Sequence, residues 1–356
     1  MNAFSVILAG GGGTRFWPLS RKDLPKQYLN LSGNNALINE TILRHNKLIS
    51  YEHTFIVTSK NQYKPLSEVL VKEIPTENII LESVGRNTAP CILYAAMKIY
   101  QKYGDGIMCV FPSDHYIIDE ESYRKVLQSA IDLAENTDKL ITIGVKPTYP
   151  STGYGYIKYN SGSKIEAGYE VLNFTEKPSY EIACQYLQES SYLWNSGTFF
   201  GKLSVILENF NRFLPRMYLQ MDKIKEYFWQ ENEGKVLDSI YQSLQSISID
   251  YGILERSSDV YVIPGEFGWN DIGSWDSLGS IFPSDKHGNI VKADHLSVDT
   301  HQCIIYGDKN LIATIGLEEM IIVSVDDATL ICPKSRAQDV KQIVDLLKDK
   351  GRFDLL

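Results

Sequence analysis

Residues 6–27 read VILAGGGGTRFWPLSRKDLPKQ, and this stretch decides how the rest of the chain is read. Phe4, Val6, Ile7 and Leu8 make a short apolar run of the kind that forms a buried strand. Four glycines follow, Gly10 to Gly13, and then Thr14 and Arg15. A residue without a Cβ lets backbone N–H groups close around an anion. Arg15, Arg21, Lys22 and Lys26 then set four cations against one carboxylate, Asp23. A strand ending in a glycine cradle beside clustered cations points to a phosphate site.

The common phosphate fingerprints do not fit. The P-loop needs a Gly-Lys pair that never arrives, and in the dinucleotide pattern G-x-G-x-x-G the third glycine position is Arg15. Charge sharpens the inference. The first thirty residues carry a net +3 on a chain of net −9, which leaves −12 on the remainder. A local basic cluster on an acidic body suits a small anionic ligand and argues against a general nucleic-acid binder.

Cys91, Cys109, Cys184, Cys303 and Cys332 are scattered, odd in number and form no C-x-x-C. That argues against structural zinc and a disulfide framework and fits a reducing cytoplasm. No apolar run approaches the ~20 residues of a membrane span, and the N-terminus lacks the basic region of a signal peptide.

The first 150 residues alternate strand and helix patterns. Helices are expected at 36–49, 61–72, 89–100 and 122–135, and strands at 54–58, 79–81, 107–111 and 140–145. In the third helix Ile92, Ala95, Ala96 and Ile99 share a face. This alternation predicts an α/β fold, a parallel sheet covered by helices, with ligands outside the carboxyl ends of its strands. Residues 203–244 read as helices, one of them 215–230. After Phe282 the texture changes to short strands: NIVKA, CIIYG, LIATI, MIIVSV and TLICP. A small all-β domain is expected there, ending in a helix over 335–351 with Val340, Ile343, Val344 and Leu347 on one face. The two domains are placed at 1–280 and 281–356.

Taken together, LAGG-x-GTR (8–15), PLSR (18–21) and PKQ (25–27) resemble the signature of the nucleoside-diphosphate-sugar pyrophosphorylases, in particular their mannose-1-phosphate guanylyltransferase branch. RNTAP (86–90), PSDH (112–115), FTEKP (174–178), WNSG (194–197), SIDY (248–251) and WNDIGSW (269–275) extend the resemblance across the catalytic half. It implies a Rossmann-like, mostly parallel sheet and a left-handed β-helix-like C-terminal module. It also implies transfer of a guanylyl group from GTP to mannose 1-phosphate with Mg²⁺, in a homodimer. The apolar face of the last helix offers a surface for that dimer or for the β-domain.

The resemblance also assigns residues. Arg15, Lys26, Asp114 and Asp271 are the expected catalytic set, with Asp114 and Asp271 holding the metal. Nucleotide binding falls to Leu8, Ala9, Gly10, Gly11, Gly13, Thr14, Arg15, Lys26, Glu82, Gly85, Asn87, Thr88 and Ser113. Glu82 is the carboxylate proposed to read guanine, whose N1–H and N2–H₂ are adjacent donors. Gly155, Glu176, Lys177 and Asn195 are expected around the sugar phosphate. As neighbours in an extended segment, Glu176 and Lys177 should point apart. His115 reads as a hydrogen-bonding neighbour, since Mg²⁺ prefers oxygen, and Asp250 receives no role. Plainer readings exist: Thr88 as a helix N-cap, Asp114 and Asp271 as caps, and Trp269 and Trp275 as core aromatics. A pyrophosphorylase for another sugar, GDP-heptose or GDP-glucose type, or a silent sugar-nucleotide sensor are the competing functions. Many bacterial relatives add a metal-dependent isomerase module; the sequence here shows no His/Glu cluster for one, so isomerase activity is not expected.

Overall fold

The structure, a computed structural model, describes residues 1–31 and 33–356. Its first eleven strands are β1 (Ala3–Leu8), β2 (Thr54–Ser59), β3 (Ile79–Glu82), β4 (Ile107–Pro112), β5 (Tyr116–Ile117), β6 (Leu140–Val145), β7 (Gly155–Ile165), β8 (Gly168–Glu176), β9 (Tyr192–Lys202), β10 (Val260–Gly265) and β11 (Trp269–Asn270). Between them run α1 (Leu37–His45), α2 (Tyr63–Val69), α3 (Thr88–Tyr103), α4 (Glu120–Asn136), α5 (Tyr180–Gln188), α6 (Leu203–Phe213), α7 (Pro215–Asp222) and α8 (Glu233–Ser243). Nine strands form one sheet in the order β3-β2-β1-β4-β9-β6-β10-β8-β7. The β3-β2-β1-β4 half is parallel throughout, as the alternation predicts. The sheet is mixed beyond it, because β9 enters antiparallel between β4 and β6 and β8 runs antiparallel to β10.

Alternation along β1 builds two cores. Phe4 and Val6 pack with α3 and α6, and Ile7 with α1 and α4 on the opposite face. The α3 face foreseen from its spacing is buried: Ile92, Ala95, Ala96 and Ile99 are all at most 1% exposed. Helix bounds depart from the sequence patterns in both directions: α1 and α2 are shorter than expected, and α3 and α4 run longer. The helix expected over 215–230 stops at Asp222, continues as a 3₁₀ turn to Tyr227, and meets Trp229 at φ 61°. That left-handed backbone ends any helix.

The C-terminal strands are β12 (Ile290–Lys292), β13 (His295–Val298), β14 (Ile304–Gly307), β15 (Ile312–Ile315), β16 (Met320–Ser324) and β17 (Thr329–Pro333). β12, β14 and β16 stack in parallel register, and so do β13 and β15, giving β-helix-like coils closed by antiparallel β17. The sequence pattern passes over β13, because the side chains of HLSV are mostly exposed and its apolar signal is weak.

The last helix, α9 (Val340–Asp349), turns Val340 and Val344 inward, and Leu347 packs beside them. Their partners include Phe16 and Trp17, next to the glycine stretch, as well as Ile290 and Ile304 of the coils. Two buried valines contribute roughly 3–6 kcal/mol of docking energy. Most of the face that sequence offered to the β-domain or to a second subunit is therefore used within the chain, while Ile343 stays exposed. Trp17 Nε1 and Arg21 Nη1 both donate to the carbonyl of Leu355, at 2.8 and 2.6 Å.

Candidate active site

Behind β1 the glycine loop is held by its carbonyls. Gln27 Nε2 donates to Ala9 O (3.1 Å) and Gly11 O (2.9 Å), and Thr58 Oγ1 donates to Ala9 O (3.0 Å). Among the described residues none accepts from the backbone N–H groups of Gly10 through Arg15. These donors remain for a ligand, as a phosphate cradle requires. Gly13 sits at φ 59°, and a Cβ there would lie 2.7 Å from the backbone nitrogen of Lys26. Glycine is obligatory at this position for both reasons.

Of the cavities that open on this loop, two gather the expected site residues. The first, of about 390 Å³, is lined by Leu8, Gly10, Gly11, Glu82, Gly85, Asn87, Thr88 and Asp250 among others. The nucleotide residues expected from RNTAP and from the glycine run thus meet in one place. Glu82 ends β3 with Oε1 buried and lacking a well-formed hydrogen bond among the described residues; burial pushes its carboxyl up to about 7, and the nearby Tyr241 hydroxyl acts in the opposite direction. An unsatisfied buried carboxylate oxygen beside a cavity is costly unless a ligand donor reaches it. The N-cap of α3 is Asn87, at φ 65°, whose side chain accepts from Thr88 N (2.9 Å); Thr88 instead accepts from Ile249 N (2.9 Å) through its hydroxyl. SIDY is thereby tied to the RNTAP loop.

The second cavity, of about 330 Å³, is lined by Gly13, Thr14, Arg15, Phe16, Lys26, Asp114, His115, Asp271, Gly273 and Lys341. Asp114 and Asp271, 157 positions apart in sequence, face this common space. Lys26, 5% exposed, donates from Nζ to Asp114 Oδ2 (2.7 Å) and to the carbonyl of Asp271 (2.6 Å). Burial alone would raise the Asp114 carboxyl, but the Lys26 ammonium beside it holds it below the usual range. Asp271 accepts from the Tyr154 hydroxyl (2.8 Å). His115 is neutral, pushed down to about 4 by burial, and its Nδ1 accepts from Trp269 Nε1 (3.1 Å). Trp275 is a core residue, fully buried against Phe16, with Nε1 donating to Trp17 O (3.1 Å).

Ala9 and Ser113 line neither cavity. Ala9 serves through its carbonyl, and Ser113 is buried with its N–H bonded to Leu8 O (3.2 Å), so both brace the loop from behind.

Around the expected sugar-phosphate residues one expectation fails. Glu176 and Lys177 do not point apart: Lys177 Nζ meets Glu176 Oε1 at 2.5 Å. Lys177 lies at φ 49°, outside the extended region, so the alternation of a strand no longer applies. Gly155 is closely approached by Glu176, whose Oε2 would be 2.5 Å from a Cβ there. Asn195 already has protein partners, accepting from Gly197 N (3.2 Å) and Thr142 Oγ1 (3.2 Å) and donating to Asp250 Oδ1 (3.0 Å). Asp250 is pushed up to about 6 by burial, with Glu176 adding to the shift. Sequence reasoning left Asp250, Tyr154 and Lys341 without roles. SIDY and the Tyr/Gly-rich run at 151–159 carried a signal for the first two, whereas a lysine on an amphipathic surface helix carried none.

Residues 4–287 match the nucleotidyl transferase family, and residues 293–347 match the mannose-phosphate isomerase/GMP-like beta-helix domain. The chain belongs to the nucleotidyl transferase family, with a β-helix-like module at its C-terminal end. Within that family it is similar to the mannose-1-phosphate guanylyltransferase of Escherichia coli K12, at 35% identity over 99% of this chain and 74% of that protein. It is also 38% identical to the xanthan biosynthesis protein XanB of Xanthomonas campestris, over 98% of this chain and 74% of the relative. A crystal structure from Thermus thermophilus, described as a mannose-1-phosphate geranyltransferase, superposes with a TM-score of 0.89 at 33% identity, covering 98% of this chain and all of that one.

Proposed function

We propose that this nucleotidyltransferase joins GTP and α-D-mannose 1-phosphate to give GDP-mannose and diphosphate. The observation that carries the reading is the meeting of Asp114, Asp271, Arg15 and Lys26 in one cavity beside the glycine loop. A phosphate oxygen of the sugar phosphate attacks the α-phosphorus of GTP in line. The bond from that phosphorus to the α,β-bridging oxygen breaks, and diphosphate leaves with the electron pair. The nucleophile is already an anion, so no general base is needed; the task is to position two anions and offset their charge.

The loop N–H groups and Arg15 bind the triphosphate. Lys26 ties Asp114 to the Asp271 backbone. Glu82, in its ionised form, accepts from N1–H and N2–H₂ of guanine in the first cavity, with Gly85, Asn87 and Thr88 around the base. Lys177 supplies a cation to the sugar phosphate, and Glu176, Asn195, Asp250 and the Gly155 backbone surround the sugar hydroxyls.

Two carboxylates from two loops, with no third acidic, His or Cys ligand grouped among the described residues, fit a hard ion that completes its shell with water and substrate phosphates. Asp114 and Asp271 would hold Mg²⁺, which when bound neutralises charge on the reacting phosphates. Among the described residues no helix is long and apolar enough to cross a membrane. A cytoplasmic homodimer completes the proposal, and solution mass is its check. The test of the function is diphosphate release over a matrix of four NTPs and several sugar 1-phosphates, with and without Mg²⁺. Preference for GTP with mannose 1-phosphate supports the reading; release with UTP or dTTP alone defeats it.

A further inference from the structure

The phosphate-side cavity takes its third cation from the far end of the chain. Lys341 lies in the first turn of α9, yet it lines the same space as Arg15, Lys26, Asp114 and Asp271. Its side chain is exposed to that space and has no hydrogen bond or ion pair among the described residues. Lys26, by contrast, is bound to Asp114 and to the carbonyl of Asp271. Helix α9 is fixed against the loop by Val340 and Val344, which pack on Phe16 and Trp17. A second tie runs from Gln338 Nε2 to Ser274 Oγ (2.7 Å), three residues beyond Asp271.

Arg15 and Lys341 face this space without a protein partner among the described residues, whereas Lys26 is held by the two aspartate loops. An unpaired cation placed there attracts the β- and γ-phosphates of a nucleotide, in addition to any charge that a bound ion brings.

We propose that Lys341 binds the β,γ-diphosphate portion of the nucleotide and stays with diphosphate as it leaves, so that the C-terminal module contributes a catalytic residue. The proposal rests on the reading that this cavity receives the triphosphate. It makes docking of α9 a condition of activity, because the cation reaches the site only when Val340 and Val344 are seated. The module is then part of the catalytic unit and not an appendage to it.

The test compares Lys341→Ala, Lys341→Arg and a control, Lys350→Ala, in the full-length chain. Diphosphate affinity is measured by calorimetry, alongside KM for GTP, KM for mannose 1-phosphate and kcat. Lys341→Ala should weaken diphosphate binding and kcat/KM for GTP by about 10- to 100-fold. It should leave KM for mannose 1-phosphate and the unfolding midpoint within twofold and 1 °C of wild type (rough bounds for an exposed side chain). Lys341→Arg should recover most of the loss, and the salt dependence of GTP binding should be shallower in Lys341→Ala. Equal diphosphate affinity in wild type and Lys341→Ala overturns the proposal and leaves the transferase reading standing if wild type turns over. A wild type inert toward GTP and mannose 1-phosphate that still binds diphosphate through Lys341 would sink that reading alone.

Discussion

Replacing Lys26 with alanine removes a cation that touches both aspartate loops. Sequence alone expects this variant to fold normally and turn over poorly. The structure changes the first half of that expectation. Lys26 Nζ is buried between Asp114 Oδ2 and the carbonyl of Asp271, and the Asp114 side chain is 31% exposed. Breaking a fully buried pair costs about 3–5 kcal/mol, because a carboxylate is left in low dielectric without its counter-charge. Partial solvent access at Asp114 reduces this to roughly 2–3 kcal/mol, a fall in Tm on the order of 5 °C. Misplacing a preorganised charge costs a further 10²–10³ in kcat, about 3–4 kcal/mol of transition-state stabilisation.

The double variant Lys26→Met/Asp114→Asn separates the two effects. With no charge left buried it should recover most of the lost stability while remaining inactive. Urea denaturation and steady-state diphosphate release measure them independently. The reasoning fails if Lys26→Ala keeps the wild-type midpoint, or if the double variant is no more stable than the single one.

Asp271→Asn keeps shape and the Tyr154 hydrogen bond, so it should unfold at the wild-type temperature yet lose about 10²–10³ in kcat; near-wild-type turnover removes it from the mechanism. Gly13→Ala forces a Cβ against the Lys26 backbone at φ 59° and should destabilise the chain by about 1–3 kcal/mol and abolish GTP binding, read by denaturation and calorimetry. Burial pushes the Glu82 carboxyl up to about 7 from an ordinary value of 4.5, so the folded state binds its proton more tightly. Its contribution to stability is greatest below 4.5 and is lost as pH rises through 7. Guanine needs the ionised form, so KM for GTP should rise as pH falls from 8 to 6. In Glu82→Gln that pH dependence should vanish, along with most of the preference for GTP over ATP.

Much of the site was legible because its chemistry is local in sequence. The loop from Leu8 to Lys26, the PSDH turn and the WNDIGSW segment each carry their own signal, and parallel strands deliver their ends to one edge. What sequence hid depends on relations between distant segments. The pairing of Glu176 with Lys177 follows from one left-handed residue, and an apolar/polar pattern does not report φ. The antiparallel entry of β9 between β4 and β6 is a topological choice with no local mark. Helix α9 announced its amphipathic face through Val340 and Val344, but nothing said that the face would seat on Phe16 and Trp17. The placement of Lys341 followed from that docking and was invisible for the same reason.

In the proposed reaction a sugar-phosphate oxygen attacks the α-phosphorus of GTP between Asp114 and Asp271. Mannose 1-phosphate labelled with ¹⁸O at its three terminal phosphate oxygens tests it directly, with products read by mass spectrometry and ³¹P NMR. The mechanism puts all the label in GDP-mannose, one atom of it between the two phosphorus atoms, and none in diphosphate. Label in the diphosphate, or lost to water, would contradict it.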